Sequence, residues 1–315
     1  MTLPDRILET DQSGPTTSAM LPLNEAWARY EAIRDRLPAA AAPGAMRHVA
    51  GLLEIADEFD GFLFDSFGVL NVGETAVPGA AECLSELRRQ GKAIRVLTNA
   101  ASYTGDAALA KYQRMGLDIA RDEIVSSRDV TFANIDKVAP GIRWGAIAAE
   151  DDIFADAGKT RMSDLLGDSR SWDDAEGILF LSSARWDAEL QEHLIASLVA
   201  RPRPVVVGNP DLVAPREGGL TIEPGFWAHD LQDRTGVRPM LFGKPYSDAF
   251  DIAIAGLEGS RFAMIGDTLH TDILGGQAAG LSTILVTDHG LFAGRDTTPF
   301  IAESGIVPEF VLPSI

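Results

Sequence analysis

The sequence predicts an α/β protein whose centre is a doubly wound parallel sheet. Four compact apolar runs each stop at a polar residue: 62–64, 93–97, 262–265 and 282–286. Apolar runs without polar alternation are typical of strands that are buried on both faces of a parallel sheet. Stretches with helical spacing separate these runs: 79–90, 246–257 and 272–279. The alternation of strand and helix therefore predicts crossover connections, with helices covering both faces of the sheet.

Length and composition narrow the class of protein. At roughly 150 residues per domain, 315 residues predict two domains. The net charge of −19 argues against nucleic acid or an anionic membrane as a partner, because phosphate groups repel such a surface. Cys83 is the single cysteine, so an internal disulfide and a cysteine-based zinc cluster are excluded. With no apolar run near the ~20 residues of a membrane span and no apolar secretory signal, we expect a cytoplasmic protein.

The N-terminal segment predicts a poorly ordered tail over residues 1 to about 20, followed by one amphipathic helix over 24–37. The helix carries four apolar residues at helical spacing: Trp27, Tyr30, Ile33 and Leu37. This face needs a partner. Docking against the core domain is the simpler interpretation, and a homodimer contact is the alternative. A linker at 39–44 and a short helix over about 46–57 follow.

The middle of the chain predicts a second α/β unit. Its strand candidates are 144–149, 177–182 and 204–207, and its helix candidates are 128–137 and 186–200. The domains expected from these patterns are an N-terminal tail and helix (1–45), a core domain in two pieces (46–103 and 237–315), and an inserted domain (104–236).

Polar residues stand where the predicted core strands end. Asp65 follows the first apolar run, Thr98 and Asn99 follow the second, and Asp267 follows the third. In a parallel sheet, ligands bind beyond the carboxyl ends of the strands, so these side chains should converge. A carboxylate placed like Asp65 can act as a nucleophile or a metal ligand. For any one of these residues alone, capping the next helix is the simpler role.

Two later segments add the remaining groups. Lys244, in Phe242-Gly243-Lys244-Pro245, places an ammonium at the start of a predicted helix. Asp267 and Asp272 supply two further carboxylates. Carboxylates that hold a hard cation, together with an ammonium that neutralises phosphate oxygens, meet the two needs of phosphoryl transfer.

In order and placement, these residues resemble the motifs of the haloacid dehalogenase (HAD) superfamily of aspartate-dependent phosphohydrolases, over about residues 58–290. The 33 residues from Asp65 to Thr98 leave no room for an insert, whereas the 146 residues from Thr98 to Lys244 accommodate an α/β domain. This placement is similar to the type IIA branch, the NagD-like phosphatases, which have a C2-type cap inserted into a Rossmann-like core. Further segments match that branch: Gly73, 78–80, 91–92, 208–211 and 224–225.

The resemblance implies a metal site and a nucleophile. Asp65 would be the nucleophile and a ligand of Mg²⁺. The backbone carbonyl of Phe67 and the carboxylate of Asp267 would be further ligands, and Asp272 would support the metal site or the lysine.

The resemblance also implies a substrate site for a small, phosphorylated molecule. Thr98 would bind the transferring phosphoryl group with Asn99 nearby, and Lys244 would stabilise its charge. Asn209 and Asp211 would face the active site from the cap.

Phe67 departs from the family pattern. HAD phosphatases usually carry an aspartate two residues after the nucleophile, which protonates the leaving alcohol and then activates water. General acid–base help of this kind contributes on the order of 10²–10⁴ in rate. His270 lies near the predicted metal ligands and could substitute, although an exposed loop histidine is the simpler interpretation. His229, in a predicted helix over 227–233, could contact the substrate, although a position on the helix surface is the simpler interpretation.

The expected function is that of a Mg²⁺-dependent hydrolase that acts on a small phosphate ester through an aspartyl-phosphate at Asp65, with weak acid catalysis because of Phe67. Two alternatives remain open. One is a small-molecule-binding or regulatory protein on a HAD scaffold with vestigial catalysis. The other is cleavage of a carbon–halogen or carbon–phosphorus bond, which requires no protonation of an alcohol.

Overall fold

A computed structural model describes residues 20–40, 44–168, 170–216 and 218–315. The predicted N-terminal tail lies outside the described residues except for Met20. No helix in the described ranges combines the length and the apolar character that crossing a bilayer requires.

The strands of the described residues are numbered in chain order. They are β1 (Arg47–His48), β2 (Gly61–Phe64), β3 (Asn71–Val72), β4 (Thr75–Ala76), β5 (Ala93–Thr98), β6 (Ile124–Ser126), β7 (Arg143–Ile147), β8 (Arg161–Asp164), β9 (Gly177–Phe180), β10 (Val205–Val207), β11 (Val213–Arg216), β12 (Gly219–Ile222), β13 (Met240–Leu241), β14 (Phe262–Gly266), β15 (Ser282–Val286) and β16 (Phe310–Leu312).

The helices are numbered in the same way. They are α1 (Leu23–Ala32), α2 (Ala80–Arg89), α3 (Gly105–Arg114), α4 (Ser127–Val138), α5 (Ser171–Asp174), α6 (Ala188–Ala200), α7 (Pro224–Thr235), α8 (Ser247–Ile254), α9 (Leu274–Ala278) and α10 (Thr298–Ser304). A π-helical turn, Leu269–Ile273, leads directly into α9.

The larger sheet confirms the predicted doubly wound core. Its seven strands are ordered β1-β16-β15-β14-β2-β5-β6, and every neighbouring pair is parallel. The central strand β2 has all four residues buried, as its uninterrupted apolar run predicts, since helices cover both faces. Because β5, β2 and β14 are parallel neighbours, their carboxyl ends meet at the same edge of the sheet.

A second parallel sheet, ordered β13-β10-β9-β7-β8, forms the inserted unit. The predicted boundaries of that unit, 104–236, are wrong at both ends. Strand β6 pairs with β5 of the core sheet, so the segment before β7 contributes to the core. Strand β13 pairs with β10 and extends the insertion beyond residue 236. Both strands are only two or three residues long, which is too short for an apolar run to reveal them.

The first residues of the core also differ from the prediction of a short helix over 46–57. This segment instead contains strand β1 and two 3₁₀ turns, Leu52–Glu54 and Ala56–Glu58. Strand β1 pairs with β16 at the edge of the core sheet. The tertiary pairing therefore overrides the weak helical pattern of these residues.

Helix α1 packs between the core and the insertion. Trp27, Tyr30 and Ile33 are buried in one apolar cluster with residues of α7 and of the π-helical turn. The Trp27 indole N–H donates to Glu303 of α10 at 2.9 Å, while the Tyr30 hydroxyl accepts from the Leu212 N–H at 3.2 Å. The predicted docking on the core is thus observed, but the helix also contacts the cap. Its apolar face is occupied within the chain, which removes the reason for expecting a homodimer contact there.

Candidate active site

The candidate site lies at the edge of the core sheet where β2, β5 and β14 end. Asp65 follows β2, Thr98 ends β5 and Asp267 follows β14. The Asp65 N–H donates to the Ile265 carbonyl at 2.8 Å, so the ladder between β2 and β14 continues to the first catalytic candidate. All three side chains line one cavity of about 270 Å³ between the core and the cap.

Lys244 forms a buried ion-pair centre in this site. Its Nζ lies 2.6 Å from Asp65 Oδ1 and 2.7 Å from Asp272 Oδ1, and the side chain is 1% exposed. Burial by itself lowers the pKa of Lys244, but the nearby carboxylates of Asp272 and Asp65 outweigh it and raise the pKa overall. Lys244 is therefore a permanent cation.

Three carboxylates cluster at this site, and two of them, Asp65 and Asp272, contact Lys244. One oxygen each of Asp65, Asp267 and Asp272 lies within 4.8 Å of the others. Burial, opposed by Lys244, raises the pKa of Asp65 to about 7, and burial together with the neighbouring carboxylates also raises the pKa of Asp267. A backbone hydrogen bond offsets part of the free-energy cost of burying the Asp267 charge, because Asp267 Oδ2 accepts from the Leu291 N–H at 2.6 Å. Each of these carboxylates that stays ionised costs free energy in a buried space, and a cation in addition to Lys244 would offset that cost.

Two glycines make room for the Asp267 carboxylate. A Cβ at Gly68 would lie 2.6 Å from Asp267 Oδ2, and a Cβ at Gly290 would lie 2.0 Å from the same oxygen. Gly68 also has a φ of +84°, which disfavours any other residue. The close approach of backbone to carboxylate thus depends on glycine at both positions.

Asn99 holds Lys244 in place. Its Oδ1 accepts from the Lys244 N–H at 2.7 Å, and its Nδ2 donates to the Lys244 carbonyl at 2.9 Å and to Asp211 Oδ1 at 2.8 Å. Both ends of the Asn99 amide are therefore used within the protein, which leaves the backbone of Asn99 for contact with a phosphate, and its place beside the phosphoryl group stays a prediction.

The predicted cap residues reach the same cavity with different partners. Asn209 Nδ2 donates to Glu223 Oε2 at 3.0 Å, and Asn209 Oδ1 accepts from the Asp211 N–H at 3.0 Å. The Asn209 amide is thus engaged with protein rather than free for substrate. Burial, aided by the charge of Asp65 and opposed by Lys244, raises the pKa of Asp211 to about 8. Thr98 lines the cavity, and its hydroxyl accepts from the Ala100 N–H at 3.2 Å.

Phe67 presents its ring to two cations. Lys111 Nζ lies 4.2 Å from the ring centroid and Arg216 Cζ lies 4.4 Å from it, both within the range of a cation–π contact. The side chain lines the cavity and is 8% exposed. The Phe67 carbonyl accepts no backbone hydrogen bond from the described residues, whereas the Ser66 carbonyl beside it accepts from Leu70 and Asn71.

The two candidate histidines are buried, so the surface interpretations are wrong for both. His270 Nε2 lies 2.7 Å from Glu31 Oε1, and its ring stacks on Tyr30 with a centroid distance of 4.7 Å. Burial lowers the pKa of His270, so the ring is neutral and turned toward α1 rather than toward a leaving group. His229 packs beside Arg36 at 3.4 Å, and it does not line the cavity at Asp65.

Sequence reasoning missed four residues around Phe67 and the cavity, two from the core segment before β7 and two from the cap. They are Tyr103, Lys111, Arg216 and Glu223. Arg216 ends β11 and Glu223 follows β12, so the hairpin brings them together. Nothing in their local sequence indicates that this hairpin faces Phe67. Only an explicit prediction of the hairpin could have pointed to them.

Comparison with known proteins agrees with this arrangement. The model of the haloacid dehalogenase-like hydrolases matches residues 62–155, and a HAD-hydrolase-like model matches residues 241–314. The two matches contain Asp65 and Thr98 in the first segment, and Lys244 and Asp267 in the second. The chain is a hydrolase of the haloacid dehalogenase superfamily.

Individual relatives extend the similarity over the inserted unit. An acid sugar phosphatase of Staphylococcus aureus is 26% identical over 235 residues, which are 73% of this chain and 86% of the relative. A possible sugar phosphatase from Cytophaga hutchinsonii is 27% identical with a TM-score of 0.73, over 86% of this chain and 98% of that one. The glycerol phosphate phosphatase of Mycobacterium tuberculosis, in complex with magnesium, is 25% identical with a TM-score of 0.65, over 82% of this chain and 76% of that one.

Proposed function

We infer that this protein is a type IIA phosphatase that hydrolyses small phosphate monoesters through a phosphorylated Asp65. The observation that carries the inference is the triad of Asp65, Lys244 and Asp272, in which Nζ lies within 2.7 Å of both carboxylates and only Asp65 is partly exposed. A carboxylate held in this way beside a cation is poised to attack an electrophile of high negative charge. The sugar and glycerol phosphate phosphatases among its relatives support the substrate class.

The first step is attack of Asp65 on phosphorus. The Ser66 N–H donates to Asp65 Oδ1 at 2.6 Å, and Lys244 contacts the same oxygen, which leaves Oδ2 for the attack. As the new P–O bond forms, the ester P–O bond breaks, and the ester oxygen departs with the bonding electrons as an alkoxide or phenolate that takes up its proton from water. Lys244 stabilises the negative charge of the phosphoryl oxygens during transfer. Water then attacks the aspartyl-phosphate, which releases inorganic phosphate and restores the carboxylate.

The residues present fit a Mg²⁺ ion. Asp65, Asp267 and the free carbonyl of Phe67 would hold it, with Asp272 in support, and all of these groups offer the oxygen ligands that Mg²⁺ prefers. When bound, the ion would supply positive charge to the phosphoryl oxygens. The clustered and partly neutralised carboxylates support this assignment, because a divalent cation would compensate their burial.

Phe67 makes protonation of the leaving group the weak part of the reaction. Neither candidate histidine is available as a substitute, since His270 is turned toward α1 and His229 is outside the cavity. We therefore expect esters with good leaving groups, such as nitrophenyl phosphate, to react faster than alkyl phosphates, whose alkoxide needs a proton.

The test is a panel of phosphate monoesters with Mg²⁺, assayed on the wild type, on Asp65→Asn and on the control Asp57→Asn. The Asp57 side chain is fully exposed, so its loss should leave turnover unchanged. Asp65→Asn should lower turnover by on the order of 10³-fold or more, since the nucleophile is lost. Acid-quenched protein should carry a hydroxylamine-sensitive phosphoryl group in the wild type only. Full activity of Asp65→Asn would contradict the proposal, and a wild type that binds esters without hydrolysing them would favour a binding protein on the same scaffold.

A further inference from the structure

Resting on the proposed phosphatase function, we propose that Arg216 selects phosphate monoesters whose alcohol portion carries a carboxylate, that is, phosphorylated hydroxy acids. The phosphoryl group belongs at Asp65 and Lys244, at the core end of the cavity. The alcohol portion must then extend toward the cap, where Arg216 and Glu223 line the same cavity.

Arg216 has N–H donors that remain available to a ligand. Its side chain is 36% exposed, and among the described residues Glu223 is the carboxylate within ion-pair distance, at 3.6 Å. That distance exceeds an ordinary charge-assisted hydrogen bond of about 2.7–2.9 Å. A guanidinium carries five N–H donors, so one long contact leaves most of them for a ligand.

Glu223 acts as a support for Arg216 rather than as its full partner. Its Oε2 accepts from Asn209 Nδ2 at 3.0 Å, and its Oε1 accepts from the Thr221 hydroxyl at 3.0 Å. Because both oxygens are already satisfied by neutral donors, Glu223 is fixed at the cap. An anionic ligand can therefore bind Arg216 without having to displace a tight ion pair.

Phe67 lies against the guanidinium and, unlike an aspartate, adds no second carboxylate beside Arg216. Arg216 lies over the ring at 4.4 Å, and an arginine stacked on an aromatic face keeps its in-plane N–H donors free for a planar carboxylate. The aspartate that HAD phosphatases usually carry at position 67 would instead offer a competing carboxylate to Arg216. The departure from the family pattern thus preserves a cation for the substrate.

Tyr103 supplies a second donor in the same cavity. Its hydroxyl is buried and has no hydrogen-bond partner among the described residues, although the residue lines the cavity with Arg216. Burial raises the pKa of Tyr103 to about 12, so the hydroxyl keeps its proton and can donate. A buried polar group without a partner is costly, and a ligand oxygen would satisfy it.

Size is compatible with a short acid. The cavity of about 270 Å³ corresponds to about nine water molecules at ~30 Å³ each, which suffices for a phosphate and a three-carbon skeleton. Two probes of this size differ only at the group in question. 3-Phosphoglycerate has a carboxylate where glycerol 3-phosphate has a hydroxymethyl group.

The experiment compares kcat/KM for these two esters in the wild type, Arg216→Gln and Arg185→Gln. Arg185 is a matched control, because it is a cap arginine paired with Asp164 at 3.0 Å and does not line the cavity. Arg216→Gln should lower kcat/KM for 3-phosphoglycerate about 10–100-fold, mainly because KM rises. The same substitution should change kcat/KM for glycerol 3-phosphate less than about 3-fold. Arg216→Lys should recover only part of the lost kcat/KM, since lysine keeps the positive charge but lacks the paired, coplanar N–H donors of the guanidinium.

The outcomes separate this inference from the proposed function. Equal loss of both esters in Arg216→Gln, or a wild type without preference for the acid, would overturn the inference while phosphatase activity stands. If the wild type hydrolyses no ester, including nitrophenyl phosphate, the proposed function fails. In that case the inference is tested by calorimetric titration of the protein with each ester in the presence of Mg²⁺. The inference is supported if 3-phosphoglycerate binds at least 10-fold more tightly than glycerol 3-phosphate and this preference is lost in Arg216→Gln. Equal affinity for the two esters would overturn it.

Discussion

Replacing Lys244 by methionine would remove the cation that lies between Asp65 and Asp272, whose side chains are 13% and 0% exposed, while keeping most of the side-chain volume. The Nζ atom contacts Asp65 and Asp272 at 2.6 and 2.7 Å, and the side chain is 1% exposed. Removing one partner of a buried ion pair costs about 3–5 kcal/mol, because the remaining charge has no compensation. We therefore expect Lys244→Met to lower the free energy of unfolding by ~3–5 kcal/mol at pH 8 in EDTA, and to abolish turnover.

The loss should depend on pH in a defined direction. Burial raises the pKa of Asp65 to about 7 even though Lys244 opposes this shift, so the pKa rises further once the lysine is gone. A carboxyl whose folded pKa lies above its unfolded value of about 3.9 destabilises the fold at high pH. The penalty disappears as the pH falls through the folded pKa and the group takes up a proton. The difference between variant and wild type should therefore shrink between pH 8 and pH 5.5.

Urea unfolding followed by circular dichroism, in EDTA at both pH values, measures this difference. Lys159→Met is the control, because Lys159 is exposed and its loss should change stability by less than about 0.5 kcal/mol. A loss below about 1 kcal/mol for Lys244→Met at pH 8, or a loss of equal size at both pH values, would refute the account of Lys244 as the neutralising centre of the site.

Three further predictions concern other parts of the molecule. In Phe67→Asp, Lys111 and Arg216 would lower the pKa of the new carboxyl, which makes it a poor source of protons. The turnover of alkyl phosphates should therefore rise less than about 10-fold, and a steady-state rise above 100-fold would show that the carboxyl does act as an acid. Asp267→Asn should weaken Mg²⁺ binding about 10–100-fold in calorimetric titrations, and unchanged affinity would exclude it as a ligand. Trp27→Ala should cost about 3–5 kcal/mol in urea unfolding, because the indole is 6% exposed; a loss below 1 kcal/mol would mean that α1 is not docked.

The core strands and the polar residues at their ends could be predicted from local sequence. A strand buried on both faces, such as β2 or β14, requires an uninterrupted apolar run, and this requirement acts within four or five residues. Parallel pairing then places the following residues at one edge, so the convergence of Asp65, Thr98 and Asp267 follows from topology alone. Strands of two or three residues, such as β6 and β13, carry no such signal, and the domain boundaries were misplaced for that reason.

The partners of the site residues were decided only by the tertiary structure. Asn99 and Lys244 are 145 positions apart, and the Asn99 amide bonds to the lysine backbone only because the tertiary fold brings the two segments together. His270 is buried because α1 covers it, although its own loop sequence looks polar. Composition and spacing determine which groups reach the edge of the sheet, whereas the hydrogen bonds and charges those groups meet depend on how the cap and α1 pack against it. That packing is a property of surfaces distant in sequence, and no local pattern records it.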